Sequence, residues 1–231
     1  MIPRSYTYLA VDLGCLLVPL LATFHPKIKF YTQWRYFLWP CVITAAFFII
    51  WDVIFTRAGV WQFNNSYVLG YYFINLPVEE LLFFIFIPYA CTFTFYCCNQ
   101  LIRHKPNQVF SRKFAFVLGV SLAGIGFIHL NEWYTSVTFL LLSAMFVYMF
   151  LSKAEYTGMF FVSFALILIP FFISNGILTG TGLVQPVVIY NNHYNLGIRL
   201  GTIPVEDVFY GMLLQLMNVA GMMCMKKRQT R

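Results

Sequence analysis

The 231-residue chain is 60% hydrophobic, only 10% charged and carries a net charge of +7. So few charges exclude an ordinary water-soluble domain, where about a quarter of residues are charged. The basic excess does not indicate nucleic-acid binding, because placing the charges along the chain explains them by membrane topology.

A bilayer-crossing helix needs ~20 mostly apolar residues. Seven stretches qualify: 5–24, 36–56, 77–98, 114–129, 133–151, 159–178 and 204–225. The first carries Asp12 in mid-span, which argues against a cleaved signal peptide. Tyr8 stands one turn before Asp12 and therefore on the same helix face. The second span ends in Trp51 and Asp52, with Arg57 about one turn on as the expected ion-pair partner of Asp52. A loop with Trp61, Tyr72 and Asn75 follows, and then Pro77-Val78-Glu79-Glu80 at the head of the third span. The fourth is short and holds Gly119, Gly124 and Gly126. The seventh opens on Pro204-Val205-Glu206-Asp207, with Tyr210 one turn on.

With seven spans, Arg4, Arg57 and Arg199 fall on one side of the membrane and the other 12 of the 15 lysines and arginines on the opposite side. The positive-inside rule makes the richer side cytoplasmic. The expectation is an integral protein of a bacterial-type plasma membrane, N-terminus outside and C-terminus inside, with anionic lipid as a surface partner. The six cysteines, Cys15, Cys41, Cys91, Cys97, Cys98 and Cys224, all lie in apolar spans and read as free thiols packing as small hydrophobes.

The two Pro-Val-Glu-acid motifs belong to an internal repeat. Residues 69–80 align without gaps on 196–207, and 54–60 resemble 177–183, so that Asp52 corresponds to Asn175. The expected fold is all-α: two parallel three-helix repeats, 1–100 and 131–231, joined by a connector helix within 101–130. A single connecting span keeps both copies in one orientation, about an axis along the membrane normal. Both motifs then lie on the same side and can face one cavity between the halves.

Carboxylates at the head of a bilayer-length helix are costly and point to function. Proline suits the first helical turn, and the helix dipole favours acids there. The stretches 67–76 and 196–203 are themselves apolar, so each motif is expected behind a re-entrant or interfacial segment. Adjacent acids on a helix point about 100° apart. Glu79 and Glu206, glutamate in both copies, read as the reacting pair, with Glu80 and Asp207 as supporting acids. In an apolar cavity two facing carboxyls resist joint ionisation and can hold one proton ready to give and one base ready to take.

The 26 Phe, 15 Tyr and 5 Trp are mostly packing and interface residues, but aromatic faces also stabilise a carbocation without attacking it. Trp51, Trp61, Tyr71, Tyr72 and Tyr210 lie near the motifs in sequence. His25, His104, His129 and His193 form no metal-binding cluster, no Gly-x-Gly-x-x-Gly follows a strand, and no interior lysine marks the seventh span. Acid–base chemistry in an apolar cavity, without metal or cofactor, is what remains.

The paired motifs, Pro77-Val78-Glu79-Glu80 and Pro204-Val205-Glu206-Asp207, each heading the last helix of a three-helix unit, resemble the small membrane lycopene cyclases of the heterodimeric type, here with both halves fused. The resemblance covers nearly the whole chain. It implies redox-neutral cyclisation of a linear carotenoid such as lycopene, with no cofactor and with association with other carotenoid enzymes left open. The motif acids would be catalytic, and Pro77, Pro204, Asp12, Tyr8, Asp52, Asn75, Trp51, Trp61, Tyr72 and Tyr210 supporting or substrate-binding. Two alternatives stay open: another end-group cyclase or hydratase (ε or γ ring, or a C50 carotenoid), and a proton-coupled transporter using the same acids as a relay.

Overall fold

The structure is a computed structural model that describes residues 3–229. Arg231, counted above among the basic residues, lies outside the described residues. The chain forms seven long helices: α1 (Thr7–Thr23), α2 (Trp34–Arg57), α3 (Val78–Leu101), α4 (Gln108–Ile128), α5 (Trp133–Leu151), α6 (Thr157–Leu178) and α7 (Val205–Gln229). All seven lie in segments long and apolar enough to cross a membrane. The fourth is longer than its apolar stretch suggests, because Asn107 caps it early, accepting from the Val109 and Phe110 amides at 3.0 and 3.1 Å. This satisfies two of the four amides that a helix start leaves without partners.

Helices α1–α3 and α5–α7 form two equivalent triplets around a pseudo-twofold axis. α3 and α7 meet at the centre, α2 lies against α7, and α6 lies against α3. The connector α4 is peripheral and packs on α5 and α6. Its approach to α5 depends on Gly119, where an added Cβ would come within 3.1 Å of the Phe146 Cβ. Small residues at such crossings replace the hydrophobic drive that lipid surroundings remove.

The axis emerges in the loops that close the cavity end of the bundle. β1 (Trp61–Phe63) pairs antiparallel with β4 (Val188–Tyr190), Trp61 facing Tyr190 and Phe63 facing Val188. The amide of Asn64 donates to the Val187 carbonyl at 2.8 Å, and that of Asn191 to the Val60 carbonyl at 2.9 Å. These two bonds are the same bond seen from each half: the register that puts 69–80 on 196–207 also puts 64 on 191 and 60 on 187. The extra loop length of the second half therefore lies before 187, and the match of 60 to 183 read from sequence does not hold at that position. The two halves thus share one two-stranded lid.

The apolar segments before the motifs fold as hairpins: β2 (Tyr72–Phe73) with β3 (Leu76–Pro77), and β5 (Arg199–Leu200) with β6 (Ile203–Pro204). Pro77 therefore ends a strand with extended backbone (φ −65°, ψ 151°) and stands as the N-cap of α3, one residue ahead of the expected helical position. The ladder bond geometry explains this: Val78, not Pro77, supplies the amide that bonds the Tyr71 carbonyl at 2.9 Å. Pro204 does the same before α7, where the Val205 amide bonds the Ile198 carbonyl at 3.0 Å. The two turns fill the same left-handed position with different residues. Gly201 takes φ +66° without cost, whereas Ile74 is held at φ +60°, a strained setting for a β-branched residue.

Candidate active site

The first acid of each motif is turned to the loop before it. Glu79 Oε1 accepts the Leu69 amide at 2.6 Å, and Glu206 Oε1 accepts the Leu196 amide at 2.7 Å. Glu206 also accepts from Thr135 Oγ1 at 2.6 Å. Both carboxyls are fully buried, and each leaves its Oε2 without a donor. Asp12, also fully buried, meets no hydrogen-bond partner and lies within electrostatic reach of Glu79. Glu79 and Glu206 thus pin two apolar loops to the helix starts.

The second acid of each motif, rotated about 100°, faces a cavity of about 70 Å³ between the halves. Glu80, Asp207, Tyr8, Tyr134, Tyr190 and Asn175 bring their polar groups to it, and Trp61 and Tyr210 supply aromatic wall. Of the four motif acids, Glu80 and Asp207 line this cavity, while Glu79 and Glu206, expected as the reacting pair, are not part of its lining.

The two cavity acids have unlike surroundings. In the first half the Tyr8 hydroxyl donates to Glu80 Oε2, and Trp61 Nε1 donates to Asp52 Oδ1. Thr56 Oγ1 adds a longer bond to Asp52 at 3.3 Å. The carboxyl of Asp52 lies beside that of Glu80, and its Oδ2 meets no hydrogen-bond donor. Two neighbouring buried carboxyls resist joint ionisation, so such a pair can carry one proton between them. Asp52 takes Trp61 and Thr56 as partners, not Arg57, because β1 folds the indole back over the end of α2.

In the second half the residue aligned with Asp52 is Asn175. Asp207 Oδ1 accepts from the Tyr134 hydroxyl at 2.6 Å, and Oδ2 from Asn175 Nδ2 at 2.7 Å and the Tyr190 hydroxyl at 3.0 Å. Burial, and next the Asp207 carboxylate, push the Tyr190 hydroxyl well above the usual phenol range. It therefore stays a protonated donor throughout the physiological range. Three donors converge on Asp207, whereas Glu80 has a second carboxyl, Asp52, beside it.

Between the acids the walls are aromatic. Trp61 meets Tyr134 edge to face at 5.1 Å and Tyr210 at 6.5 Å, and Tyr134 stacks on Tyr190 at 5.9 Å. The faces of such rings attract positive charge. An acid, a base and aromatic faces around one small cavity are the parts needed to make, hold and quench a carbocation.

Comparison with known proteins agrees with this chemistry. The family model for lycopene cyclases matches residues 5–98 and, a second time, 131–225. The chain belongs to the lycopene cyclase family. No curated protein and no solved structure matches it. The double match is the internal repeat seen by a second route, and it makes this cyclase a carotenoid-cyclising membrane enzyme with both repeats in one chain. Among the described residues no group of three or more His, Cys, Asp or Glu is arranged to hold a metal ion.

Of the residues singled out in the cyclase sequence, the cavity gathers Glu80, Asp207, Tyr8, Trp61 and Tyr210, with Asp52 one contact behind. Others lie apart. Trp51 is buried in an aromatic cluster with Phe48, Phe55 and Tyr210. Asn75 ties its hairpin to α2 through the Val53 carbonyl at 3.1 Å. Tyr72 is half exposed on β2 and donates to Asn65. Tyr134 and Tyr190 were missed as site residues. Their signal is the repeat itself: Tyr134 stands at the start of its triplet as Tyr8 does, and Tyr190 aligns with Phe63, which stacks on Tyr8 at 6.5 Å.

Proposed function

We propose that this cyclase converts the ψ end groups of lycopene, or a closely related linear carotenoid, to β-ionone rings. The Glu80–Asp52 pair delivers a proton to C2 of the terminal double bond, leaving a tertiary cation at C1. The C5–C6 double bond attacks C1, forming the six-membered ring and moving the positive charge to C5. Asp207 then takes the proton from C6, and its electron pair makes the ring double bond between C5 and C6. One proton enters and one leaves, so the reaction is a redox-neutral isomerisation. The faces of Trp61, Tyr134 and Tyr210 hold the cation, and apolar packing around the bound end group keeps water from trapping it.

The observation that carries this reading is the inequality of the two acids: one carboxyl with a second carboxyl beside it, and one carboxyl that accepts three hydrogen bonds. A transporter relay gains nothing from aromatic walls between its acids, whereas a cation intermediate does. The charge distribution supports an orientation with the cavity end outside and the C-terminus of α7 in the cytoplasm.

The test is expression in a bacterial host that accumulates lycopene, with pigments separated by chromatography. Appearance of γ- and then β-carotene, abolished by Glu80→Gln and by Asp207→Asn, is the expected result. ε-Rings would keep the protonation step and show that a different proton is removed. Unchanged lycopene, with the protein present in the membrane, rejects lycopene as the substrate.

A further inference from the structure

The acid cavity, at about 70 Å³, holds a few waters and cannot contain a terpenoid end group without opening. A second and much larger space adjoins it. A groove of about 720 Å³ runs between α1, α3 and α6, within the ~300–1,000 Å³ typical of small-molecule sites. Its lining spans Thr7 to Pro19 on α1, about 18 Å at 1.5 Å per residue. Small side chains create it: Gly14, Cys15, Ala90, Cys91 and Ser174. A Cβ added at Gly14 would meet nothing within 4 Å. At the rim Val18 and Ile173 are 70% and 64% exposed on the outer, lipid-facing side of the bundle. Two residues, Ile87 and Phe171, line both the groove and the acid cavity.

At the pseudo-symmetric position the seam between α2 and α7 is packed. Following the repeat, Gly14 and Cys15 become Leu140 and Leu141, and Ser174 becomes Trp51. The counterpart of Phe171 is Phe48, which is fully buried, stacks on Trp51 at 5.4 Å and meets Tyr210 edge-on at 5.0 Å. Gly221 lets α7 close on α2, where an added Cβ would fall 2.6 Å from the Pro40 Cβ. The duplication has kept one side open and filled the other.

The geometry points to the α1/α3/α6 groove as the binding site for the linear polyene chain of the substrate, admitted sideways from the bilayer, with Ile87 and Phe171 as the gate through which one end group reaches the acids. The inference rests on the carotenoid reading above. The occupant must be long, apolar and unbranched enough to lie along α1 while its tip passes the gate, which a folded protein partner cannot do. With one door, only one end group reacts per visit, so a bicyclic product requires release and return.

The test copies the closed half onto the open one with Gly14→Leu and Ser174→Trp together. Two quantities are read: the initial rate of lycopene consumption in cells, and the lycopene retained per protein after purification of the Asp207→Asn enzyme with and without the groove substitutions. Both are expected to fall at least tenfold while the amount of membrane-inserted protein stays as in the parent. A Val117→Phe control on the lipid face of α4, where the native side chain is 62% exposed, is expected to change neither. If the double variant fails to accumulate, Gly14→Leu alone is read the same way, since its Cβ has free space. Cyclisation and retention unchanged by the filled groove would overturn the inference and leave the cyclase reading intact, as would a groove carrying only phospholipid chains. A wild-type protein that leaves lycopene unconverted rejects the proposed reaction; retention of lycopene that is lost on filling the groove would still support the site, and no retention would overturn it.

Discussion

The two halves of this cyclase repeat each other in their scaffold and differ in their chemistry. The lid bonds Asn64–Val187 and Asn191–Val60 are interchangeable, and so are the anchors from Leu69 to Glu79 and from Leu196 to Glu206. Three of the differences between them matter most here. Asp52 against Asn175 separates two neighbouring carboxyls from one carboxyl with three donors. Ser174 against Trp51 separates an open groove from a packed seam. Ile74 against Gly201 separates a strained turn from a relaxed one. Duplication thus supplied a frame that places two carboxyls across one cavity, and divergence gave them unlike surroundings, which the proposed reaction uses as an acid and a base. Two identical sites would not catalyse proton addition and removal equally well, because the two steps need opposite starting states.

Breaking the chemical asymmetry is expected to have the largest effect. Glu80→Gln and Asp207→Asn each remove a proton-transfer group and should lower turnover by roughly 10²–10⁴-fold, the usual worth of general acid–base catalysis. Pigment formation per unit of membrane protein checks this. If both variants stay active while Glu79→Gln and Glu206→Gln are folded but dead, the roles within each motif revert to those expected from the repeat alone.

Asp52→Asn gives the first half the amide of the second. It keeps the size of the side chain but removes the shared proton, so turnover should drop by about 10²-fold with little change in KM. A wild-type rate in this variant would show that Glu80 needs no partner to hold its proton.

Removing the scaffold anchors should act on stability more than on chemistry. Glu206 accepts two hydrogen bonds and Glu79 one, and a bond to a charged group contributes about 1.5–3 kcal/mol. Glu79 also stands near the partnerless Asp12, so its loss relieves a buried pair of acids. Glu206→Ala should therefore lower the Tm of the purified protein more than Glu79→Ala. The reverse order would mean that Asp12 and Glu79 bind each other through a proton and stabilise the first half.

The smallest effect concerns the turns. Ile74→Gly should stabilise the protein by about 1 kcal/mol, the cost of a left-handed residue with a Cβ. Gly201→Ile should destabilise it by a similar amount. A Tm unaffected by Ile74→Gly would show that packing of the isoleucine side chain offsets the strain.

Much of this molecule follows from local sequence. Seven apolar runs of bilayer length can only be helices, because lipid offers backbone groups no other partner. The ungapped match of 69–80 on 196–207 requires two equivalent units. An odd number of connecting spans fixes their parallel orientation, so both motifs must share a face. The arrangement of the site required more. Which of two adjacent acids turns to the cavity depends on where the preceding loop offers its amide, and Leu69 and Leu196 claim the first acid of each motif. Tyr134 reaches Asp207 across 73 positions of sequence, and Trp61 reaches Asp52 only because β1 pairs with a strand from the other half. The groove is written in no motif, since Gly14, Ala90 and Ser174 mean nothing until three helices bring them together. Periodicity and length are properties of one segment and survive in the sequence; the aim of a carboxyl and the shape of a void are properties of neighbours, and only packing decides them.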